Sequence, residues 1–563
     1  MEERRLLLAV ALSLLVLTAY SLLFPPPQRE RPAAPSAPPI AGPVAPSPSS
    51  PPRAPGPAPA TSPSAPPAAA MPAVRDDRER RVEVIGADIQ VAFTNRGARL
   101  LSWRLRRFQD ARGNAEEMVQ AAPDGPRPLD LETGDSAIDA QLREALFRPS
   151  AAELIVPEGG KATLRFEYTE DDLEATKVLG FPGSGSLVSL SVSVKKGGRE
   201  LAKKVLWGPG VGNPTPAEME VQGYQAPQGV ALLADGVHRL AVDAMASPRT
   251  LPTVQWVGVE GHYFAALLVA PGGRGGAELR AQSLPPLEDG RPRQAPQAVL
   301  DLGPAEGPAL LYVGPKDYHA LSKLGYRLAE VVPVGEWIGP IVVPLLGLLR
   351  WVHGFVGNYG WSIVVLTLII NLVMAWPRHY SIANGIKMQK MAPEMKVIQE
   401  RYRKVPLLDP KRQQMQEEMA ALYARHGMSM GTQMMVGCLP LLLTMPFLIA
   451  FYRVLQVSIE LRGASFLWIP DLSQKDPYFL TPIFMGLSML LMTRMTPSTL
   501  DPAQQRIMLI MPLMLMGMFL WAPAGLNLYW LASNLCSIVQ QGATLSLLRT
   551  APAEPTKKER RRK

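Results

Sequence analysis

Seven side chains capable of polar contact stand inside otherwise apolar stretches at helical spacing. Thr367 and Asn371 are four apart, and Asn527, Trp530, Asn534, Ser537 and Gln541 follow one another at intervals of three and four, so each set shares one face of a helix. None is a nucleophile with a base beside it, a general acid or a metal ligand. Their chemistry is hydrogen bonding, inside a segment where a polar group costs free energy unless it faces other helices or water. Two uses are open: interhelical hydrogen bonds, worth about 0.6–2 kcal/mol each, or a groove wetted from the cytosol. Five positions on one face favour the groove. No carboxylate stands inside these stretches, which counts against proton-coupled transport.

Outside them the chain offers no catalytic constellation. His238, His262 and His319 are isolated, with no cysteine or carboxylate at ligand spacing, and are expected to be structural or superficial. The acidic pairs Glu116-Glu117 and Asp171-Asp172 read as solvated turns. Cys438 and Cys536, the two cysteines, lie in apolar runs and read as small buried hydrophobes. The expectation is a protein that is not an enzyme, without a catalytic residue, metal site or cofactor.

The elements that must position the polar face are membrane spans. Apolar segments without charge recur at about 361–377, 434–452, 478–493, 507–522 and 525–548, several near the lower length limit for crossing about 30 Å of hydrocarbon. Another apolar run, Leu6 to Phe24 behind Arg4 and Arg5, is close to the ~20 residues of a span and reads as an uncleaved anchor over 1–24. Between anchor and core, region 321–360 sets an aromatic and polar edge on apolar residues, with Pro333, Pro340 and Pro344. It reads as a helix lying in the membrane interface.

Charge orients these segments. Residues 378–432 carry ten Lys/Arg against five Asp/Glu, and 549–563 carry seven against two. By the positive-inside rule this predicts six spans, both termini cytoplasmic, and residues 80–320 outside. The basic stretch 378–432 reads as a helical hairpin. Met388, Met391 and Met395 form one stripe, and Met415 and Met419 begin another. Such stripes serve as core or as an adaptable contact for apolar partners. Asp409 before Pro410 reads as a helix N-cap with proline in the first turn.

The outer region, 80–320, alternates with period two, as in Ala162-Thr163-Leu164-Arg165-Phe166 and Leu187 to Val194. More than 200 residues of this pattern predict a large antiparallel β-sandwich. The linker, 25–79, begins with 25–72, which holds 19 of the 57 prolines and reads as an extended spacer. The net charge of +9 is therefore a sum over compartments. The fold class expected is a polytopic α-helical membrane protein with a large β-sandwich domain on its outer side; a solute transporter with an outer sensing domain is one functional reading.

Several short segments carry a resemblance over about 335–548. They are Gly357-Asn358-Tyr359-Gly360, Trp468-Ile469-Pro470-Asp471-Leu472-Ser473, Asp476-Pro477-Tyr478, Pro523-Ala524-Gly525 with Tyr529, Ser533-Asn534 and Gln540-Gln541. They resemble the YidC family of membrane protein insertases, in the Gram-negative form with a large periplasmic domain. The resemblance implies a five-span insertase core over 361–548 around a hydrophilic groove open to the cytoplasm and to lipid. Thr367, Asn371, Asn527, Trp530, Asn534, Ser537 and Gln541 would line it. Met445, Pro446 and Met518 sit at positions resembling a hydrophobic slide. It also implies an inner-membrane location with the β-domain periplasmic, and an insertase and chaperone that guides hydrophobic segments of nascent proteins into the membrane without nucleotide hydrolysis. The partners implied are nascent inner-membrane proteins, the ribosome, membrane lipids and, as a candidate, a Sec translocon, with no DNA. The tail residues Lys557, Lys558, Arg560, Arg561, Arg562 and Lys563 are candidates for contact with ribosomal RNA phosphates or anionic lipid.

One position departs from the family. Asn371 stands where its members usually carry a groove arginine. Either Arg378 or Arg453 supplies the charge, or the groove is a neutral hydrogen-bonding surface; the neutral surface is expected, because both arginines sit near span ends where snorkelling is ordinary.

Overall fold

The computed structural model describes residues 73–550, apart from 111, 121–124, 184–186, 286–292, 304–306, 403–404, 407–408, 427–444 and 497–501. The anchor 1–24, most of the linker, Cys438, the first part of the 434–452 segment and the basic tail with Lys557 to Lys563 lie outside the described residues.

The alternating stretches form strands. Lys161–Glu170 buries Leu164, Phe166 and Tyr168, and Leu173–Pro182 buries every second residue, because successive side chains leave opposite faces. One inward position is Lys177. Burial pushes its pKa down to about 7, and its ammonium donates to the carbonyls of Ala98 and Leu129 at 2.7 Å each.

Three sheets result, of ten, five and five strands. Among the described residues all pairings between strands are antiparallel except one, in which Glu153–Ile155 lies parallel beside Arg81–Ile85. A single core joins the sheets. Trp103 meets Phe181 and Trp207, each at 6.4 Å between ring centres, and these three residues come one from each sheet.

The strands end at Pro315 and helices follow. Helix α1 (Tyr318–Leu324), capped by Asp317, places Leu321 on the large sheet. Helix α2 (Gly339–Val356) buries Val342, Leu345, Leu346, Leu349 and Val352 at helical spacing and exposes Trp351 and Phe355. Then come α3 (Tyr359–Val373), α4 (Ala375–Arg401), α5 (Lys411–Arg425), α6 (Met445–Val457), α7 (Leu480–Met495), α8 (Pro502–Met518) and α9 (Ala524–Thr550).

The described parts of the five core segments fall largely within these helices, but their individual lengths do not establish six crossings. Among the described residues one helix alone is long and apolar enough to cross a membrane, and it is α2, the one expected in the interface. The pair α3 and α4 meets the criterion only together, with a 57° bend between them, and α6, α7 and the α8 region are shorter apolar helices. The physical reasons differ. The α3–α4 axis breaks at Met374, while α9 has 27 residues but carries the polar stripe that lowers its hydropathy.

The loop between α6 and α7 is tightly built. Asp476 accepts hydrogen bonds from the backbone of Thr481 at 2.7 Å and Tyr478 at 3.0 Å, and from Trp468 Nε1 at 3.2 Å. Phe466 presses on the start of α3, where a Cβ on Gly360 would come within 2.2 Å of its ring. Gly525 lies where its N–H donates to Leu472 O at 2.8 Å. These contacts account for four of the motifs quoted above.

Candidate polar site between the helices

The break at Met374 decides the geometry of the site. In α3, Thr367 and Asn371 point inward and are buried. Thr367 Oγ1 donates to Ile363 O at 2.6 Å, and Asn371 Nδ2 donates to Thr367 O at 2.8 Å and Ser533 Oγ at 3.4 Å. Past the bend, Arg378 turns back into the bundle. Its Nη1 donates to Asn371 Oδ1 and to Ser537 Oγ, both at 2.9 Å. The neutral surface expected from sequence is thereby corrected, since a guanidinium occupies the polar cluster from the next helix. Arg453 does not take part; it bonds Gln456 at 3.1 Å.

The α9 stripe divides between two neighbours. Ser537 faces Arg378, whereas Asn534 Nδ2 donates to Ser488 Oγ on α7 at 3.0 Å and Met485 O at 3.4 Å. Gln541 Nε2 reaches Thr496 Oγ1 at 3.4 Å, and Asn527 Nδ2 donates to Phe519 O at 3.2 Å. Trp530 contacts polar groups least: it sets its ring edge-on to Phe519, 4.6 Å between centres. Asn527 is wholly buried and its Oδ1 has no partner. Asn534, Ser537 and Gln541 are buried as well. The residues thus form a polar seam closed by α3, α4 and α7, with one cation.

Sequence reasoning missed Ser488, a lone serine in an apolar helix, and Gln540, whose Nε2 donates to Ala375 O at 2.6 Å. It also missed the pairing of His379 with Thr544, 3.1 Å apart. The signal available for Gln540 was its place beside Gln541; for Ser488 there was none.

The slide residues Met445 and Met518 are exposed and Pro446 is half-buried. The hairpin methionines behave otherwise. Met391 and Met395 are buried against Leu422 and Tyr423, with Met388, Met415 and Met419 packed around them. The stripe closes α4 on α5 and is not presented to a partner in this arrangement. Pro410, not Asp409, holds the α5 cap position, while Asp409 accepts from the Lys411 backbone at 2.9 Å.

The outer sheets are fastened to the membrane half by ion pairs. Arg462, in the α6–α7 loop, donates to Glu218 at 2.6 Å and Glu116 at 2.8 Å. Its guanidinium also lies over Phe264, 5.3 Å from the ring centre. Glu116 is buried and paired, which corrects its reading as a solvated turn. Arg350 of α2 bonds Glu460 at 2.6 Å and also Asp317. His262 is half-buried and accepts the Gln225 N–H at 3.1 Å. Burial, with Lys316 adding to it, pushes its pKa down to about 4.

Comparison with known proteins places this geometry. The membrane protein insertase YidC of Geobacter sulfurreducens is 34% identical over 98% of this chain and 100% of its own length. The chain belongs to the YidC family. The YidC family models agree: that described as YidC periplasmic domain matches residues 81–348, and that described as 60Kd inner membrane protein matches 351–550. The insertase YidC of Geobacter metallireducens is 31% identical over 96% of this chain and 97% of its own length. An active YidC insertase solved with its first transmembrane domain resolved is 16% identical, covering 84% of this chain and 95% of that one, with a TM-score of 0.34. As a YidC family member the chain is an inner-membrane protein, and its antiparallel sheets are the periplasmic domain. The relatives are named as insertases, which leaves the solute-transporter alternative without support.

Proposed function

We infer that the chain is a membrane protein insertase in which the polar seam receives the hydrophilic part of a nascent protein while its apolar part passes into lipid. The observation that carries this reading is Arg378, drawn out of the basic cytoplasmic stretch into contact with Asn371 and Ser537. A half-buried guanidinium beside neutral amides and hydroxyls is a complement for polar and acidic segments.

The seam opens at low cost on this reading. Each interhelical hydrogen bond is worth about 0.6–2 kcal/mol in lipid, and one made to a substrate replaces one lost between helices. The apolar segment leaves past Met445, Pro446 and Met518. Its burial in hydrocarbon, at about 25 cal/mol per Å², drives the step without nucleotide hydrolysis.

The finer topology belongs to the same reading. Six spans, five of them forming the core, place both termini in the cytoplasm by charge asymmetry, with α2 lying along the outer interface. Its Arg350 bonds to Asp317 and Glu460 favour that position, because a guanidinium tied to periplasmic-side carboxylates holds the helix at that surface. The basic tail then meets ribosomal RNA or anionic lipid, and a Sec translocon is a candidate neighbour.

Photo-crosslinkers at Thr367, Asn371 and Asn534 test the groove against lipid-facing Leu372 and Trp376. Capture of a nascent one-span protein at the first three positions is expected. Capture confined to Leu372 and Trp376 overturns the reading.

A further inference from the structure

A cavity of about 370 Å³ lies at the junction of the periplasmic domain and α6, within the range of roughly 300–1,000 Å³ usual for small-ligand sites. Its wall carries Arg239, Lys316 and Arg453, together with Gln225, Gln228 and Gln456. The charges do not balance. Glu260, fully buried behind the wall, is bonded by Arg239 at 2.7 Å and Lys316 at 3.0 Å, and accepts from Gln228 at 2.8 Å and Gln225 at 3.1 Å. That single carboxylate is already shared between two cations. Arg453 has Gln456 at 3.1 Å and no carboxylate in ion-pair distance among the described residues. The other nearby acids are committed elsewhere, Glu218 to Arg462 and Asp317 to Arg350. His262, also in the wall, accepts a backbone N–H on Nδ1 and is a neutral imidazole.

We propose that this cavity binds a phosphate-bearing anion, taken either from the headgroup of an anionic phospholipid or as free phosphate. The cations come from three separate elements: the strand Gly236–Ala241, the segment after the strand Ala309–Pro315, and α6. Donors converging from three sides suit a tetrahedral oxyanion, whereas a carboxylate is satisfied by one arginine fork. The glutamine amides hold these cations and the carboxylate in place: Gln225 accepts from Lys316 at 3.1 Å and Gln456 from Arg453 at 3.1 Å, while Gln225 and Gln228 donate to Glu260. The apolar side formed by Val332, Pro333 and Val457 fits the glycerol end of a lipid headgroup.

The test uses the full chain in detergent with two probes, phosphatidylglycerol followed by native mass spectrometry and inorganic phosphate followed by calorimetry. Arg453→Gln removes the unpaired cation and leaves the Glu260 cluster intact; Arg453→Lys keeps the charge. A charge-assisted hydrogen bond lost from the site is expected to weaken binding about tenfold or more in the Gln variant, with partial recovery in the Lys variant. Retention of phosphatidylglycerol over phosphatidylcholine, lost in Arg453→Gln, supports the site with lipid as source. Binding of inorganic phosphate alone, with the same loss, supports it with free phosphate as source. If neither probe binds, or both bind the Gln variant as tightly as the parent, the proposal is overturned.

Discussion

Arg378 and Asn371 meet across a helix break, guanidinium Nη1 to amide Oδ1 at 2.9 Å. The two are seven residues apart, and the 57° bend between α3 and α4 is what lets the second reach the first. Replacing Arg378 by Gln is expected to lower insertion of a one-span substrate roughly tenfold or more, the worth of a hydrogen bond to a charged group, and to do so most for substrates with acidic translocated segments. Adding Asn371→Arg to that variant returns the charge to the same cluster and is expected to restore part of the activity. Proteoliposome insertion measures both, and equal losses for acidic and neutral segments would show that Arg378 serves packing alone.

Arg462 joins the two halves of the chain. It is nearly buried, and so are Glu116 and Glu218. Arg462→Ala leaves two carboxylates without their cation, which costs about 3–5 kcal/mol for a broken buried pair. Faster proteolysis between the periplasmic and membrane halves is the expected result, reversed by adding Glu116→Gln and Glu218→Gln. Unchanged digestion in the single variant contradicts the clamp.

The His262 imidazole has its pKa lowered from 6.5 to about 4. The folded state therefore holds it neutral where the unfolded chain would protonate it. Its contribution is complete above pH 6.5 and is lost as the pH falls towards 4, about 3 kcal/mol across that window. The protection of the Gln225 N–H, which His262 accepts, is expected to fall over this interval when exchange is referred to the intrinsic rate at each pH. His262→Gln, which keeps an acceptor and does not titrate, should flatten the dependence.

What the sequence made legible was periodicity. The strand Leu173–Pro182 could be read because its apolar positions alternate, and the α9 seam because its polar positions recur at three and four. What it hid were meetings between distant elements. Ser488 is one hydroxyl in an apolar helix and becomes informative only opposite Asn534. Arg378 read as a snorkelling end-of-span arginine because nothing local announces the bend at Met374. The partners of Arg462 lie 244 and 346 residues away, beyond the reach of any local pattern. Lys177 went unremarked, since alternation places it inside the sheet and only the carbonyls of Ala98 and Leu129 explain why a lysine stands there.

The hairpin offers the remaining prediction. Met391 and Met395 are buried against Leu422 and Tyr423, and Tyr423 Oη lies 3.8 Å from Met395 Sδ. If the stripe is the hairpin's own core, Met391→Ala creates a cavity and costs about 2–5 kcal/mol, as for other large-to-small core changes. The loss should appear as faster hydrogen exchange along both α4 and α5, because each helix shields the other. The half-buried Met419 should matter less when changed in the same way. A substrate-contact role gives the opposite ordering: exchange would stay the same in Met391→Ala, and crosslinkers placed there would capture nascent chains. The burial of Met391 beneath Leu422 and Tyr423 makes the first outcome the expected one.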